Sequence, residues 1–271
     1  MKKILVGVDL RAKYVWLVTR AADLARCIDG RVDLLYVSRK EPDSEQAGRR
    51  KTLEGLRDHL DEQRRGDLMV ISGDPGKVLR EQSRNYDIMV VGPNEPAGWR
   101  RLVEDAMAVQ VIGGARCPVF IPRTEEPRTS FQRIVLGLDM RHGDPTIRLQ
   151  EAGSWAAAMN ARLDAAYCEL NPARYLPKES PRHATQDTWH TNRDKEEQVL
   201  ARMLRENVPA AARGKAFVRL GRPAKGLIEL SASYDLVVVG TADAVHPSFF
   251  MSPVAVDVIR EARCDVMTLP A

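Results

Sequence analysis

Two carboxylates, Asp9 and Asp139, each directly follow a short apolar run: Lys3-Ile4-Leu5-Val6-Gly7-Val8 before the first, Arg133-Ile134-Val135-Leu136-Gly137-Leu138 before the second. A carboxylate at such a place can face a ligand crevice beyond the carboxyl ends of the strands, or simply cap the next loop or helix. Both readings stay open. Arg100-Arg101 and the pair Arg222 and Lys225 could hold an anion, or be solvated. His183, His190 and Asp187 are of metal-ligand type, but they lack the i, i+4 spacing of a helical site and a third histidine nearby, so they read as a solvated loop. His59, His142 and His246 are isolated. Cys27, Cys117, Cys168 and Cys264 form no CxxC pair, which suggests buried thiols in a reducing compartment. There is no Gly-x-Ser-x-Gly elbow, Walker loop or nucleophilic cysteine context. An enzyme is therefore not expected, with weak nucleotide hydrolysis the one activity left open.

The elements that position these groups come twice. Besides the runs ending at Asp9 and Asp139, Val90-Val91-Gly92 returns as Val238-Val239-Gly240. In the first copy the apolar run at residues 4–8 reads as a buried parallel strand. A helix follows through Val15, Leu17, Val18, Ala21, Ala22, Leu24 and Ala25, closing near Asp29-Gly30. Strands are expected at 32–37, 68–71, 88–91 and 118–121, and helices at 44–63, from Lys77 to Arg84, and through Val103, Met107, Val111 and Ile112. Residues 124–132, rich in polar groups, read as a linker between domains at 1–123 and 133–271. Asp9 and Asp139 are 130 residues apart, Arg31 and Arg162 131, and Gly73 and Gly221 148, so about 17 residues are added after the second strand of copy two. The insertion falls near 169–195 and, with Pro172, Pro177, Pro181, His183, Trp189 and His190, has the composition of a loop.

Five features in the same order in each copy resemble the universal stress protein family. They are a first strand ending in Asp9 or Asp139, a second strand ending at Leu34-Leu35-Tyr36-Val37 or Ala165-Ala166-Tyr167-Cys168, a Gly-x-Pro turn at Gly73-Asp74-Pro75 or Gly221-Arg222-Pro223, the Val-Val-Gly strand end, and Ala115-Arg116-Cys117-Pro118-Val119 or Ala262-Arg263-Cys264-Asp265-Val266. The resemblance covers nearly the whole chain. It implies two doubly wound α/β domains, each a Rossmann-like, adenine nucleotide alpha hydrolase-like parallel sheet of five strands, related by a pseudo-twofold axis. It also implies that the last strands, Val119-Phe120-Ile121 and Val266-Met267-Thr268-Leu269, pair with each other within the chain.

Members of the family that bind ATP carry Gly-x-x-Gly, nine residues, then Gly-Ser or Gly-Thr; glycines let backbone N–H groups approach phosphates, and the hydroxyl sits at a helix N-terminus. In copy one Gly92 is kept, but Glu95, Asp105 and Ala106 occupy the other positions, and Pro93 and Pro96 remove amide donors. A carboxylate facing a phosphate oxygen at 4 Å is repelled by roughly 4 kcal/mol at an effective dielectric of 20. Copy two keeps Gly240 and Thr241, then has Asp243 and, in place of Gly-Ser, Ser252-Pro253, which suits a helix start. The resemblance still assigns a vestigial nucleotide site: Asp9 and Asp139 beside base and ribose, the backbone of Val37 and Cys168 reading adenine, and Gly92, Gly240 and Thr241 at the phosphate loops. Trp99, Phe249 and Phe250 read as packing residues after those loops.

The 44% apolar content supports two buried cores. The 41 basic and 37 acidic residues leave a charge of only +4, a weak argument for nucleic acid. Met1-Lys2-Lys3 and its apolar run imitate a secretory signal but stop at Asp9 and Arg11, and no stretch is long enough to span a membrane, so a cytoplasmic protein is expected. Two functions are compatible with the sequence. One is a tandem stress-response protein acting through protein interaction, with degenerate ATP motifs, no confident cofactor, and a homodimer of whole chains left open. The other is a small-molecule sensor that keeps a weak pocket for ATP or another adenine nucleotide and signals through residues 169–195.

Overall fold

The apolar runs become the central strands because helices cover both faces of a parallel sheet. The computed structural model describes residues 1–10, 14–38, 46–92, 106–141, 144–169, 186–241 and 251–270. The first half runs β1 (Lys2–Val8), α1 (Val15–Ile28), β2 (Gly30–Ser38), α2 (Gln46–Arg57), β3 (Arg65–Ser72), α3 (Pro75–Gln82), β4 (Ile88–Val90), α4 (Ala106–Gly114) and β5 (Val119–Ile121). The second runs β6 (Arg133–Leu138), α5 (Pro145–Ala158), β7 (Arg162–Glu169), α6 (Gln186–Asn207), β8 (Arg213–Leu220), α7 (Pro223–Ser231), β9 (Leu236–Gly240), α8 (Pro253–Glu261) and β10 (Asp265–Leu269). Ile4, Leu5, Val6, Ile88, Met89 and Val90 are wholly buried, as are Leu236 and Val237.

The two expected five-stranded sheets are one continuous sheet, in the order β3-β2-β1-β4-β5-β10-β9-β6-β7-β8. Its pairs are parallel except at the centre, where β5 and β10 run antiparallel with Ile121 opposite Val266, Phe120 opposite Met267 and Val119 opposite Thr268. That pairing removes the edge each half would otherwise expose. Phe131, just before β6, packs edge-to-face on Phe120 with ring centroids 6.0 Å apart.

Two local expectations are corrected. The helix at 44–63 stops at Arg57, and Glu62–Arg64 form a separate 3₁₀ turn, because the Arg65 guanidinium takes the Leu60 carbonyl at 3.1 Å. The close of α1 near Asp29-Gly30 is as expected, with Asp29 left-handed at φ 51° and Gly30 opening β2. The stretch at 169–195 is helical from Gln186 onward, since Leu200 and Leu204 bury one face of α6 and Val208 continues it just past the helix end; residues 170–185 lie outside the described residues. His190 and Asp187 thus belong to a helix, and among the described residues no group of histidines, cysteines and carboxylates could hold a metal. Nor is any described helix long and apolar enough to cross a membrane.

Each half carries the same polar strut. Asp33 Oδ1 accepts from the Asp67 amide at 2.8 Å and Oδ2 from the Tyr86 hydroxyl at 2.8 Å. In copy two Asp164 Oδ1 accepts from the Lys215 amide at 2.6 Å and Oδ2 from the Tyr234 hydroxyl at 2.6 Å. The register of β2 with β3, and of β7 with β8, shifts beside these aspartates. Burial and the bond to Asp164 push the Tyr234 hydroxyl up to about 12. The folded state holds that proton after the unfolded tyrosine, at about 10, has lost it. This contribution to stability is full below pH 10 and is lost as pH rises toward 12. Urea midpoints measured from pH 8 to 12 are expected to fall above pH 10, and to fall less in Tyr234→Phe.

The seam between the halves is ionic as well as β-paired. Asp265 is wholly buried, and its carboxylate takes Arg20 Nη2 at 2.6 Å and the Arg123 amide at 2.8 Å, with Arg128 Nε at 3.4 Å. Arg20, 1% exposed, also donates to Asp23 at 2.8 Å. Arg128 in turn donates to Asp235 at 2.6 Å, and its amide to Asp23 at 2.9 Å. Linker residues thus tie α1 of the first half to β10 of the second. Asp265 occupies the place of Pro118 in the other copy, so this junction has no counterpart at the pseudo-twofold position.

Candidate functional site

Strand order and register bring the residues expected at the site to one end of each half-sheet. β1 lies between β2 and β4, with Val8 opposite Tyr36 and Val6 opposite Val90. Asp9, Val37 and Gly92 therefore follow on three adjacent strands at the same carboxyl end. In copy two, Leu138 opposite Tyr167 and Leu136 opposite Val238 place Asp139, Cys168 and Gly240 alike. Such a carboxyl-end crevice is where doubly wound folds bind ligands. Glu95, Asp105, Asp243, Arg100, Arg101, Trp99, Phe249 and Phe250 lie outside the described residues, and Ala106 opens α4.

Among the described residues, several of these groups are engaged by the protein itself. A Cβ on Gly92 would come within 2.7 Å of the Leu17 side chain and 3.2 Å of the Trp16 ring, so a larger residue here would press on α1. Gly240 meets no such obstacle; the nearest side chain is Arg148, with Nε at 3.6 Å from a Cβ built there. The Arg148 guanidinium is committed to the Pro270 carbonyl and to Glu151 at 3.6 Å. Thr241, assigned to the phosphate loop, is buried, and its hydroxyl donates to the Leu269 carbonyl at 3.1 Å. Ser252 Oγ accepts the Ala255 amide at 3.1 Å with Pro253 at the first turn, a helix cap worth about 1 kcal/mol.

A further group stands at the strand ends of copy two that the sequence reading did not assemble. Glu169, the last residue of β7, is wholly buried. Its carboxylate accepts from the Tyr167 hydroxyl at 2.8 Å and from the Arg141 guanidinium, whose Nε also reaches the Tyr167 oxygen at 3.1 Å. The Arg141 amide donates to Asp139 Oδ1 at 2.8 Å, so the carboxylate expected at base and ribose caps its own loop. The bond to Glu169 holds the Arg141 guanidinium charged, and burial with the Glu169 contact raises the Tyr167 hydroxyl to about 12. The signal was present as Asp139-Met140-Arg141 and Tyr167-Cys168-Glu169, two short patterns on adjacent strand ends. In copy one Ser38 stands at the position of Glu169, and Arg49 donates to its hydroxyl at 2.7 Å. The Cys168 thiol packs against α7: a Cβ on Gly226 would lie 2.7 Å from its sulfur, and burial raises its pKa.

The sequence model of the universal stress protein family matches residues 1–123 and again 130–270. The chain belongs to the universal stress protein family. Its two domains are tandem copies of that fold. No curated protein matches the sequence. Among solved structures the chain is similar to a universal stress protein from Archaeoglobus fulgidus DSM 4304, with a TM-score of 0.70 at 13% identity over 99% of this chain and 98% of that one. It is also similar to a protein of unknown function from Pseudomonas aeruginosa PAO1, with a TM-score of 0.67 at 15% identity over 100% of this chain and 92% of that one. At these identities the likeness is one of fold. Against it, this universal stress protein has self-bonded groups at the strand ends of its second domain.

Proposed function

We propose that this tandem universal stress protein acts in stress response through protein interaction, without catalysis, and that neither strand-end crevice grips a nucleotide triphosphate. The observation that carries the reading is the Arg141–Tyr167–Glu169 group, whose donors and acceptors are bonded to one another where a base and ribose would need them. Opening it would strand a buried carboxylate, at several kcal/mol, before any ligand contact is made. The Thr241 hydroxyl bonded to Leu269 and the carboxylates Glu95, Asp105 and Asp243 in the loop sequences support it further.

A second reading, an adenine-type sensor, is favoured at one place only. Copy one has the short Ser38 where copy two has Glu169, so any remaining pocket belongs to the first domain, beside Asp9 and Val37. Gentle purification followed by acid extraction and mass spectrometry tests both. The proposal expects protein free of stoichiometric adenine nucleotide; a copurified nucleotide near one per chain, lost in Asp9→Ala, would establish the sensor instead.

A further inference from the structure

The two outer edges of the ten-stranded sheet are finished differently. At the β8 edge, Glu197 of α6 accepts the Val218 amide at 3.1 Å, so the protein supplies its own carboxylate to an amide that points away from β7. Lys215 and Arg219 add charge to that strand, a usual guard against further pairing. Val70 is the counterpart of Val218, opposite Tyr36 as Val218 is opposite Tyr167. The counterpart of Glu197 in α2 is Arg49, since Leu56 and Leu60 match Leu204 and Val208 as buried residues at the same offset. Arg49 turns inward, to the Ser38 hydroxyl at 2.7 Å and over the Tyr36 ring at 5.5 Å. The β3 edge thus has an arginine where the β8 edge has its capping carboxylate.

Beside that edge lies an open groove of about 620 Å³, lined by Ala47, Arg50 and the four consecutive residues Leu68, Met69, Val70 and Ile71. Successive strand residues point to opposite faces, so a groove touching all four runs along the outer edge of the strand. All four are half-exposed and apolar, and no charged residue interrupts them. Above them α2 carries Arg49, Arg50, Lys51 and Arg57 against the lone acid Glu54, which pairs with Arg50 at 3.6 Å. The edge therefore presents strand amides and an apolar floor, with Arg50 of α2 beside them.

We propose that the β3 edge is a docking site for an extended peptide segment of a partner protein that alternates apolar and acidic residues and joins the sheet as an added strand. Main-chain pairing supplies affinity in such complexes, and alternate side chains supply selectivity. Here the carboxylates fall on the face that α2 covers, beside Leu68 and Val70 and toward Arg50, and the apolar residues lie beside Met69 and Ile71 on the opposite face. The inference rests on the reading of this chain as an interaction protein.

A fluorescein-labelled octapeptide alternating valine and glutamate, titrated with the full chain and followed by anisotropy, tests it. Saturable binding is expected, at least about tenfold weaker for the same peptide with lysine replacing glutamate, and weakened at least about tenfold by the double change Arg50→Glu and Lys51→Glu. Arg49→Glu, which places a carboxylate as in α6, is expected to abolish it, and Lys195→Glu at the far end to leave it unchanged. Circular dichroism checks that these helix-surface variants remain folded. Absent binding, equal affinity for both peptides, or indifference to Arg50→Glu with Lys51→Glu overturns the proposal. So does concentration-dependent dimerisation of the wild type lost in Arg49→Glu, which would assign the edge to a second copy of the chain. Nucleotide titration of the same samples reports separately on the crevices, so failure of the docking site is distinguishable from failure of the interaction reading.

Discussion

Asp265→Ala is expected to destabilise the protein by about 3–5 kcal/mol, the cost of leaving buried partner charges uncompensated. Arg20 is 1% exposed, and without Asp265 its remaining carboxylate among the described residues is Asp23, which already serves Arg26 at 2.8 Å. The Arg123 amide loses its acceptor, and Arg128 loses one of its two carboxylates. Burial raises the Asp265 carboxyl while the Arg20 guanidinium lowers it, so the pair stands or falls together. The control is the double variant Arg20→Met with Asp265→Leu, an apolar replacement of similar volume. A buried pair replaced whole is often neutral, whereas a broken one is not. Urea unfolding of the two singles and the double should therefore give a coupling energy that recovers most of the single losses. Additive losses would show that the seam is held by β5–β10 pairing alone.

The second large effect is expected at Gly214→Ala. A Cβ there would lie 2.0 Å from Asp164 Oδ1 and 2.7 Å from the Leu163 carbonyl, and the second of these is backbone that cannot step aside. Asp164 must leave its place, releasing the Lys215 amide and the Tyr234 hydroxyl. Two hydrogen bonds to a charged group, at about 1.5–3 kcal/mol each, set a loss of roughly 3–6 kcal/mol. Gly66→Ala repeats the experiment in the first domain, where a Cβ would meet Asp33 at 1.8 Å. Denaturant midpoints check both; a loss under about 1 kcal/mol, as for a surface glycine, would show that the strut is not needed.

The strands and their pairing could be read from the sequence because apolar runs of a parallel sheet repeat at fixed offsets, and the pairing of the last strands followed from the family resemblance. The ends of elements were less legible. The helix at Gln186 was hidden because turn formers between Pro172 and Pro181 dominate the composition of the stretch. Gly92 and Gly240 looked equivalent by spacing, yet a side chain at the first would press on Leu17 and Trp16 whereas one at the second would meet Arg148 at ordinary contact distance. Asp265 was visible only as a departure from Pro118; its partners, Arg20 and Arg128, are distant in sequence and have no repeat-mates to point to them. The Arg141–Tyr167–Glu169 group was missed for the same reason: each pattern is ordinary alone, and only strand adjacency joins them.

The central claim is that the duplicated scaffold has lost its grip on nucleotide. Calorimetric titration of the full chain with ATP and magnesium, and with AMP, at protein concentrations able to detect micromolar binding, tests it most directly. Flat titrations are predicted for both ligands. Saturable heat with a dissociation constant in the micromolar range for ATP, abolished by Asp9→Ala or Asp139→Ala, would contradict the account.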